Sequence, residues 1–165
     1  MTPKEIPLTE RTQSSFQNLA VLASHLNAAS DELTKPIEEL DTDLKKLNLG
    51  IAAWVRISNS QSECGDYWYT EEIGYTKLNN KWGIALRTSS GDYTYPPGDT
   101  SNEWLFADAP RGLRIKGVEF IPALLDELAE EAQKTTAQIK ARTQVAQQLA
   151  SSVRQSLPKP APKQK

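Results

Sequence analysis

The feature that most constrains this fold is a ladder of leucines spaced by seven residues near the N-terminus. The ladder consists of Leu19, Leu26, Leu33, Leu40 and Leu47. A second set lies three residues ahead of it and consists of Phe16, Ala23, Ser30, Ile37 and Leu44. Nine of these ten positions are apolar, which is typical of a helix that buries one narrow seam against another long helix.

The ends of this first helix are marked by its flanking residues. Helical periodicity begins near Leu8 or Thr9 and ends near Leu47 or Asn48. Thr9 is the predicted N-cap, because its hydroxyl can accept a backbone N–H bond. Asn48 and Gly50 are predicted stop residues, because both tolerate the left-handed conformation at a helix end.

Pro36 is the one residue that conflicts with a helix in this segment. A proline inside a helix removes one hydrogen bond and clashes with the carbonyl four residues back. The heptad register nevertheless continues through Pro36 without a slip. We therefore expect one kinked, continuous helix, and the alternative is a break near Ser30–Lys35.

The middle segment has the period of a β-sheet. Ten of the twelve aromatic residues lie between Ile51 and Ala107, where apolar and polar residues alternate. The predicted strands are Ile51–Ile57, Tyr67–Lys77, Lys81–Thr88 and the short Tyr93–Tyr95. Glu103–Ala107 is either a last strand or the approach to the second helix. Asn79 and Asn80 predict a type I′ hairpin turn, and Ser89–Asp92 predicts another turn. Strands without intervening helices indicate an antiparallel meander.

A second long helix is predicted after Asp108, which is the expected N-cap, with Pro110 in the first turn. A strict heptad set recurs along it at Val118, Leu125, Ala132, Ile139, Ala146 and Val153. Gly117 and Pro122 suggest that the first turns are bent or form a separate helix. Its length nearly matches that of the first helix, which indicates that the two lie antiparallel.

The predicted fold class is therefore α+β. A long antiparallel helical hairpin forms a coiled-coil stem, and a four- to five-stranded antiparallel β-sheet head is inserted at its tip. The predicted segments are 1–48 (N-terminal stem helix with a kink near Pro36), 49–108 (β head), 109–155 (C-terminal stem helix) and 156–165 (flexible tail rich in proline and lysine). A two-helix stem buries little apolar surface, so we expect a homodimer through the stem.

Net charge and cysteine content limit the classes of binding partner and the cellular compartment that we expect. The net charge of −2 gives no general attraction to nucleic acid or to an acidic membrane surface. No apolar stretch is long enough to span a bilayer, and a lone cysteine, Cys64, favours a cytoplasmic location. Acids concentrate in residues 31–43 and bases in residues 133–165, a distribution that suggests orientation of helices or of subunits.

Catalytic and cofactor motifs are missing from the sequence. The only histidine, His25, lies on the outer face of the first predicted helix, far from Cys64 in the head. The sequence contains no metal-ligand spacing and no glycine-rich phosphate loop. Glu71 and Glu72 are adjacent on a strand, so they point to opposite faces and cannot act as a pair. We predict that the chain is not an enzyme and carries no cofactor and no metal.

The aromatic residues of the head are the strongest functional lead. Trp68 lies on the face of its strand opposite to Tyr67 and Tyr69. The residues expected to contact a partner or ligand are Trp54, Trp68, Tyr69, Tyr93 and Tyr95. The alternative is that these rings serve in core and cross-strand packing.

A small basic cluster lies where the head meets the second helix. Arg111, Arg114 and Lys116 are candidates for contact with an anion. Bases are electrostatically unfavourable at a helix N-terminus. The alternative is therefore that they pair with acids of the head or of the first helix.

These observations predict a coiled-coil interaction or scaffold protein that presents an aromatic-rich β head to a protein partner. The alternative is a module that senses or binds a small molecule or a carbohydrate through the same aromatic residues. A third hypothesis is an enzyme with a carboxylate site in the head.

Overall fold

The computed structural model of the chain describes residues 7–93 and 98–156 and has an α+β fold. The elements are α1 (Leu8–Lys46), β1 (Ala53–Gln61), β2 (Tyr67–Leu78), β3 (Lys81–Asp92), β4 (Gly98–Leu105), a short 3-10 turn (Phe106–Asp108), α2 (Arg111–Val118) and α3 (Ile121–Ser156). The four strands form one antiparallel sheet in the order β1-β2-β3-β4. The predicted antiparallel meander is confirmed.

The first helix is continuous through Pro36, as the unbroken heptad register predicts. Asn48 (φ 48°) and Gly50 (φ 65°) both adopt the left-handed conformation just after the helix, in agreement with their predicted role as stop residues. The prediction of Thr9 as N-cap is wrong. The N-cap is Pro7, whose fixed φ suits the start of a helix. No side chain forms a capping hydrogen bond there.

The turn between β2 and β3 forms as predicted. Asn79 and Asn80 have φ values of 46° and 66°, as a type I′ turn requires. The turn predicted at Ser89–Asp92 is wrong, because β3 continues to Asp92 and pairs with β4. Tyr93, the first residue of the strand predicted at Tyr93–Tyr95, follows the end of β3 and is not in a strand. The other two residues of that prediction lie outside the described residues.

One face of the sheet carries the core and is covered by helices. Its largest fully buried side chains on the strands are Ile73, Tyr75, Ile84 and Leu86. The helical residues of the same apolar cluster include Ile37, Leu44, Leu113, Leu124 and Leu128. The core therefore lies between the sheet and all three helices.

The second helical segment is divided into α2 and α3, as Gly117 and Pro122 suggested. The prediction of Asp108 as N-cap is wrong. Asp108 lies in the 3-10 turn, and Pro110 is the N-cap of α2. Gly117 faces Leu86 and Ile73 so closely that a Cβ atom there would contact their side chains, and this close approach explains the glycine.

Each long helix packs on the sheet over only half of its length. The main contacts of α1 are with β3 and the 3-10 turn, and those of α3 are with β1 and β2. The other halves are exposed, with Phe16 71% and Leu149 63% accessible to solvent. Their apolar positions are therefore not covered by any other part of residues 7–93 and 98–156, and the predicted coiled-coil stem stays a prediction.

Among the described residues, no helix combines the length and the apolar character that crossing a membrane requires.

Candidate functional site

The face of the sheet opposite the core, which we call the open face, carries aromatic and charged side chains. Trp54 is paired across the strands with Gly74, and Trp68 with Gly91. Arg56 is opposite Glu72, which is opposite Arg87 on β3. Because side chains alternate along a strand, these residues lie on the side away from Ile73 and Leu86. They are half-buried or exposed, apart from the two glycines.

The Trp54 ring is held in place by its neighbours on two strands. It lies against Gly74, where an added Cβ atom would clash with the ring. The guanidinium carbon of Arg87 lies 4.0 Å from the centroid of the Trp54 ring. Arg87 in turn forms ion pairs with Glu72 at 2.7 Å and Glu103 at 3.4 Å. A cation–π contact and two ion pairs thus fix the ring on the open face.

The Trp68 ring lies across Gly91 in the same way. A Cβ atom on residue 91 would clash with the indole Nε1 and with a carboxylate oxygen of Asp99. Gly91 therefore serves to accommodate a ring from the neighbouring strand, although its sequence context suggested a turn. This close approach explains why a strand interior contains a glycine.

A shallow groove of about 370 Å³ runs beside Trp68 on the open face. Its lining residues are Arg56, Asn59, Gln61, Trp68, Thr70, Glu72, Ser89 and Tyr93. Tyr93 is 65% exposed at one end of it. The groove offers aromatic rings for stacking and side-chain amides, hydroxyls and charges for hydrogen bonds.

Three of the five predicted contact residues share this face, namely Trp54, Trp68 and Tyr93. Tyr69 lies on the core face, where its hydroxyl donates a hydrogen bond of 3.4 Å to the Glu71 carboxylate. Tyr95 lies outside the described residues. The structure therefore brings together the rings of Trp68 and Tyr93 and separates Tyr69 from them.

Several groove residues were missed by the sequence prediction. Asn59 and Gln61 fall in a segment predicted as a loop, but β1 extends to Gln61. Ser89 falls in the segment predicted as a turn. Arg56 and Glu72 follow from strand alternation once the register with Trp54 and Trp68 is known, so a correct register would have identified them.

The buried Glu71 carboxylate is the centre of a partly buried polar cluster beside α2. Its carboxylate accepts hydrogen bonds from Ser58 Oγ at 2.7 Å and from Lys116 Nζ at 2.8 Å. Burial acts to raise the pKa of Glu71. The hydrogen bonds from Lys116 and Ser58 together with the Lys116 charge outweigh burial and hold this pKa below its ordinary value. Burial and the neighbouring Glu71 carboxylate raise the pKa of Tyr69.

The predicted basic cluster is divided between two sets of partners. Lys116 forms an ion pair with Glu71 of the head. This agrees with the alternative that the basic residues pair with acids of the protein itself. Arg111 and Arg114 instead reach neutral groups of α1. Arg111 Nη2 donates to the Asn27 side-chain oxygen. Anion contact at these residues stays a prediction.

Arg114 explains the polar interruption of the first heptad seam. Its Nη2 donates to Ser30 Oγ at 2.8 Å and its Nη1 donates to Thr34 Oγ1 at 2.9 Å. Arg114 is buried, its Nε has no hydrogen-bond partner, and no described acid forms an ion pair with it. The two hydroxyls thus anchor α2 to α1 through a buried cation.

A second cavity, of about 390 Å³, lies between α1 and the end of β4. One of its polar groups, the Asp41 carboxylate, is already hydrogen-bonded. Asp41 Oδ1 accepts the backbone N–H of Ile84 at 2.8 Å. Ile84 lies just outside the part of β3 that pairs with β4, which covers residues 85–92. This carboxylate therefore provides a hydrogen-bond acceptor for a strand N–H that β4 does not pair, and its role is structural.

Histidine, cysteine and acidic side chains outside these sites do not form a metal-binding cluster in the described part of the chain. Within residues 7–93 and 98–156, no group of three or more His, Cys, Asp or Glu side chains is placed to hold a metal ion. His25 lies on α1, and Cys64 is exposed between β1 and β2. The open face is therefore the best-supported candidate site in the described part of the chain.

Comparison of the chain with protein-family models, curated proteins and solved structures finds no match.

Proposed function

We propose that this chain is a non-enzymatic interaction protein whose β head binds a protein partner through the open face. The observation that carries the proposal is the groove in which Trp68 and Tyr93 lie beside Arg56. Tryptophan, tyrosine and arginine are the residue types most enriched at binding hot spots.

The rigidity of this face supports the proposal. Trp54 is fixed by Gly74 and by the Arg87 cation, and Trp68 is fixed by Gly91. Rings that are already ordered lose little conformational entropy on binding. A preorganised aromatic surface of this kind suits recognition of a protein partner.

The long helices serve, in this proposal, as a coiled-coil stem with the head at its tip. Their free halves continue the apolar heptad positions beyond the sheet, with Leu19 61% and Ile139 60% exposed. Exposed apolar stripes of this length are typical of helices that associate. The stem would dimerise and so present two heads.

The test compares capture of cellular proteins by the purified wild-type chain and by two variants. The Trp68→Ala variant removes the ring from the groove, and Tyr67→Ala, on the opposite face and 46% exposed in the wild type, is the matched control. We expect a specific partner to bind wild type and Tyr67→Ala and to be lost with Trp68→Ala. A partner that binds all three equally would overturn the proposal.

A second variant guards against misfolding as the cause of lost binding. Gly91→Ala keeps the Trp68 side chain but forces it away from its position over residue 91. We expect Gly91→Ala to lose the same partner while its far-UV circular dichroism remains that of a folded α+β protein. Retained binding by the Gly91→Ala variant would show that the position of the Trp68 ring is irrelevant.

The second candidate function is binding of a carbohydrate or another small polar molecule in the groove. It is favoured by the combination of the Trp68 ring with the Asn59 and Gln61 amides. Aromatic faces stack on sugar rings while amides exchange hydrogen bonds with hydroxyls. The test is titration of the chain with a panel of oligosaccharides, followed by tryptophan fluorescence. A saturable change that disappears in Trp68→Ala supports it, and a flat response across the panel contradicts it.

A further inference from the structure

Each long helix has a free half that does not pack on the sheet and that is apolar along one side. The free halves also differ in charge from the halves that pack on the sheet. The free half of α1 covers residues 8–29 and that of α3 covers residues 136–156. Exposed apolar residues of these halves include Phe16, Leu19, Leu26, Ile139, Leu149 and Val153. Such stripes require a covering partner in a stable assembly.

The half of α1 that packs on the sheet is acidic on its outside. Asp31, Glu32, Glu38 and Glu39 are exposed, and none of them forms an ion pair in the described part of the chain. The adjoining half of α3 is acidic as well, with Asp126 and Glu127 near the sheet.

The free half of α3 is basic. Lys140, Arg142 and Arg154 are exposed, and residues 132–156 contain no acid. None of these three cations has an ion pair among residues 7–93 and 98–156. Lys134 differs, because Glu130 and Glu131 of its own helix hold it and raise its pKa.

The acidic and basic segments cannot meet within one chain. The acidic half of α1 lies beside the β head, because Ile37 and Leu44 of this half are buried against the sheet. Lys140 and Arg154 follow Leu128, the last buried residue of α3, by 12 and 26 residues. At about 1.5 Å per residue they lie roughly 18 and 39 Å farther along the helix. Charge complementary to these exposed cations is available on a second copy of the chain.

We propose that two copies of this chain associate antiparallel, so that the basic free half of each α3 lies along the acidic half of α1 in the partner. The proposal deepens the stem dimerisation of the proposed function and rests on it. In this arrangement the apolar stripe of each free half lies along the sheet-packed half of the partner's helices. Each stem end then lies beside the head of the partner.

Electrostatics selects this orientation over the parallel one. A parallel dimer places Lys140 and Arg142 beside their own copies and the acids of α1 beside theirs. Like charges within several ångströms repel, and the antiparallel dimer replaces these repulsions with attractions. The attraction is between exposed groups, so it weakens as salt rises.

The orientation is tested by energy transfer between chains of the full-length protein. Cys64, the only cysteine, is exposed on the head and carries the donor dye. A second preparation, Cys64→Ser with Ser152→Cys, carries the acceptor near the end of α3. After mixing, we expect efficient transfer from the head of one chain to the stem end of the other. Transfer between two preparations labelled only at Cys64 should be weak.

Charge exchange provides the second test. The double variant Lys140→Glu with Arg142→Glu should raise the dimer dissociation constant roughly tenfold at low salt, since exposed pairs contribute modestly. Adding Glu38→Lys with Glu39→Lys should restore association. The matched control is Lys77→Glu with Lys81→Glu on the head, which should leave the dissociation constant unchanged.

The outcomes separate this proposal from the proposed function. Strong transfer between two Cys64 labels together with a dimeric mass overturns the antiparallel orientation and leaves the stem dimer standing. A monomeric mass by light scattering at high micromolar concentration overturns both. Binding of a partner through Trp68 is measured separately and does not depend on either result.

Discussion

At the residue scale, pairs of glycine and tryptophan shape the open face. Gly74 and Gly91 lie on β2 and β3, and in each case a Trp ring from the adjacent strand occupies the space of the missing side chain. A tryptophan alone would stand out from the sheet. Opposite a glycine it lies against the backbone and becomes part of a flat aromatic surface.

Replacing Gly74 with alanine should therefore destabilise the fold. The new Cβ would overlap the Trp54 ring and approach the carbonyl oxygen of Ala53. We expect the free energy of unfolding to fall by about 1–3 kcal/mol, as for other overpacked sites. The measurement is urea denaturation followed by circular dichroism.

Gly112→Ala is the control with the opposite sign. Gly112 lies in α2 and has no heavy atom within 4 Å of the position a Cβ would take. Alanine should stabilise this helix by roughly 0.5–1 kcal/mol. Equal effects of the two substitutions would contradict the packing argument.

Glu71 gives the fold a predicted dependence on acid pH. Its pKa in the folded protein lies below the ordinary 4.5 because hydrogen bonds from Lys116 and Ser58 outweigh burial. The stabilisation is therefore complete above the unfolded pKa and is lost as pH falls through the folded pKa. Glu71→Gln should lower the free energy of unfolding by roughly 1–3 kcal/mol at pH 7.

The difference between wild type and Glu71→Gln should shrink as the pH falls below about 4.5. Urea unfolding at several pH values between 7 and 3 measures it. A difference that is the same at both ends of this range would show that the charge of Glu71 does not contribute.

At the element scale, each long helix has one half that serves the fold and one half that is exposed. In α3, Leu124 is fully buried whereas Leu149 is 63% exposed. Both are leucines of one continuous helix, so the apolar residue type alone cannot tell which positions the sheet covers. The distinction depends on where the sheet ends.

Two leucine truncations test this division. Leu124→Ala should lower the free energy of unfolding by about 2–5 kcal/mol because it leaves a cavity in the core. Leu149→Ala should change the unfolding of the monomer by no more than about 0.5 kcal/mol but should weaken self-association. Denaturation at low protein concentration and sedimentation at high concentration measure the two effects.

The reverse pattern, in which Leu149→Ala unfolds the monomer and leaves association intact, would contradict the division of α3.

The elements themselves could be predicted largely from local sequence. The heptad register predicted a helix continuous through Pro36, and Asn79 with Asn80 predicted the β2–β3 turn. The extent of β3 could not be predicted, because Ser89 and Gly91 have turn chemistry and only cross-strand pairing keeps them extended. The first helix begins at Leu8 as predicted, but the N-caps Pro7 and Pro110 were missed because proline occupies the position expected for a polar cap.

At the scale of the whole molecule, the sheet separates two kinds of surface. Its core face joins the three helices, and its open face carries Trp54, Trp68 and the groove. Strand alternation predicted that Trp68 points away from Tyr69. The groove itself could not be predicted, because it depends on the register that places Asn59 and Ser89 beside Trp68.

The role of Ser30 also became clear only in three dimensions. From the sequence it was a polar interruption of the leucine seam. In the fold it accepts a hydrogen bond from Arg114, a residue 84 positions later. Long-range pairing of this kind leaves no local pattern in the sequence.

Binding of a protein partner by the open face is tested most directly by the affinity of a purified partner for three forms of the chain: wild type, Trp68→Ala and Tyr67→Ala. Trp68→Ala should weaken binding by about 30-fold or more, as expected for a hot-spot residue. Tyr67→Ala, on the opposite face, should bind as tightly as wild type. An unchanged affinity for Trp68→Ala, or a loss confined to Tyr67→Ala, would contradict the account.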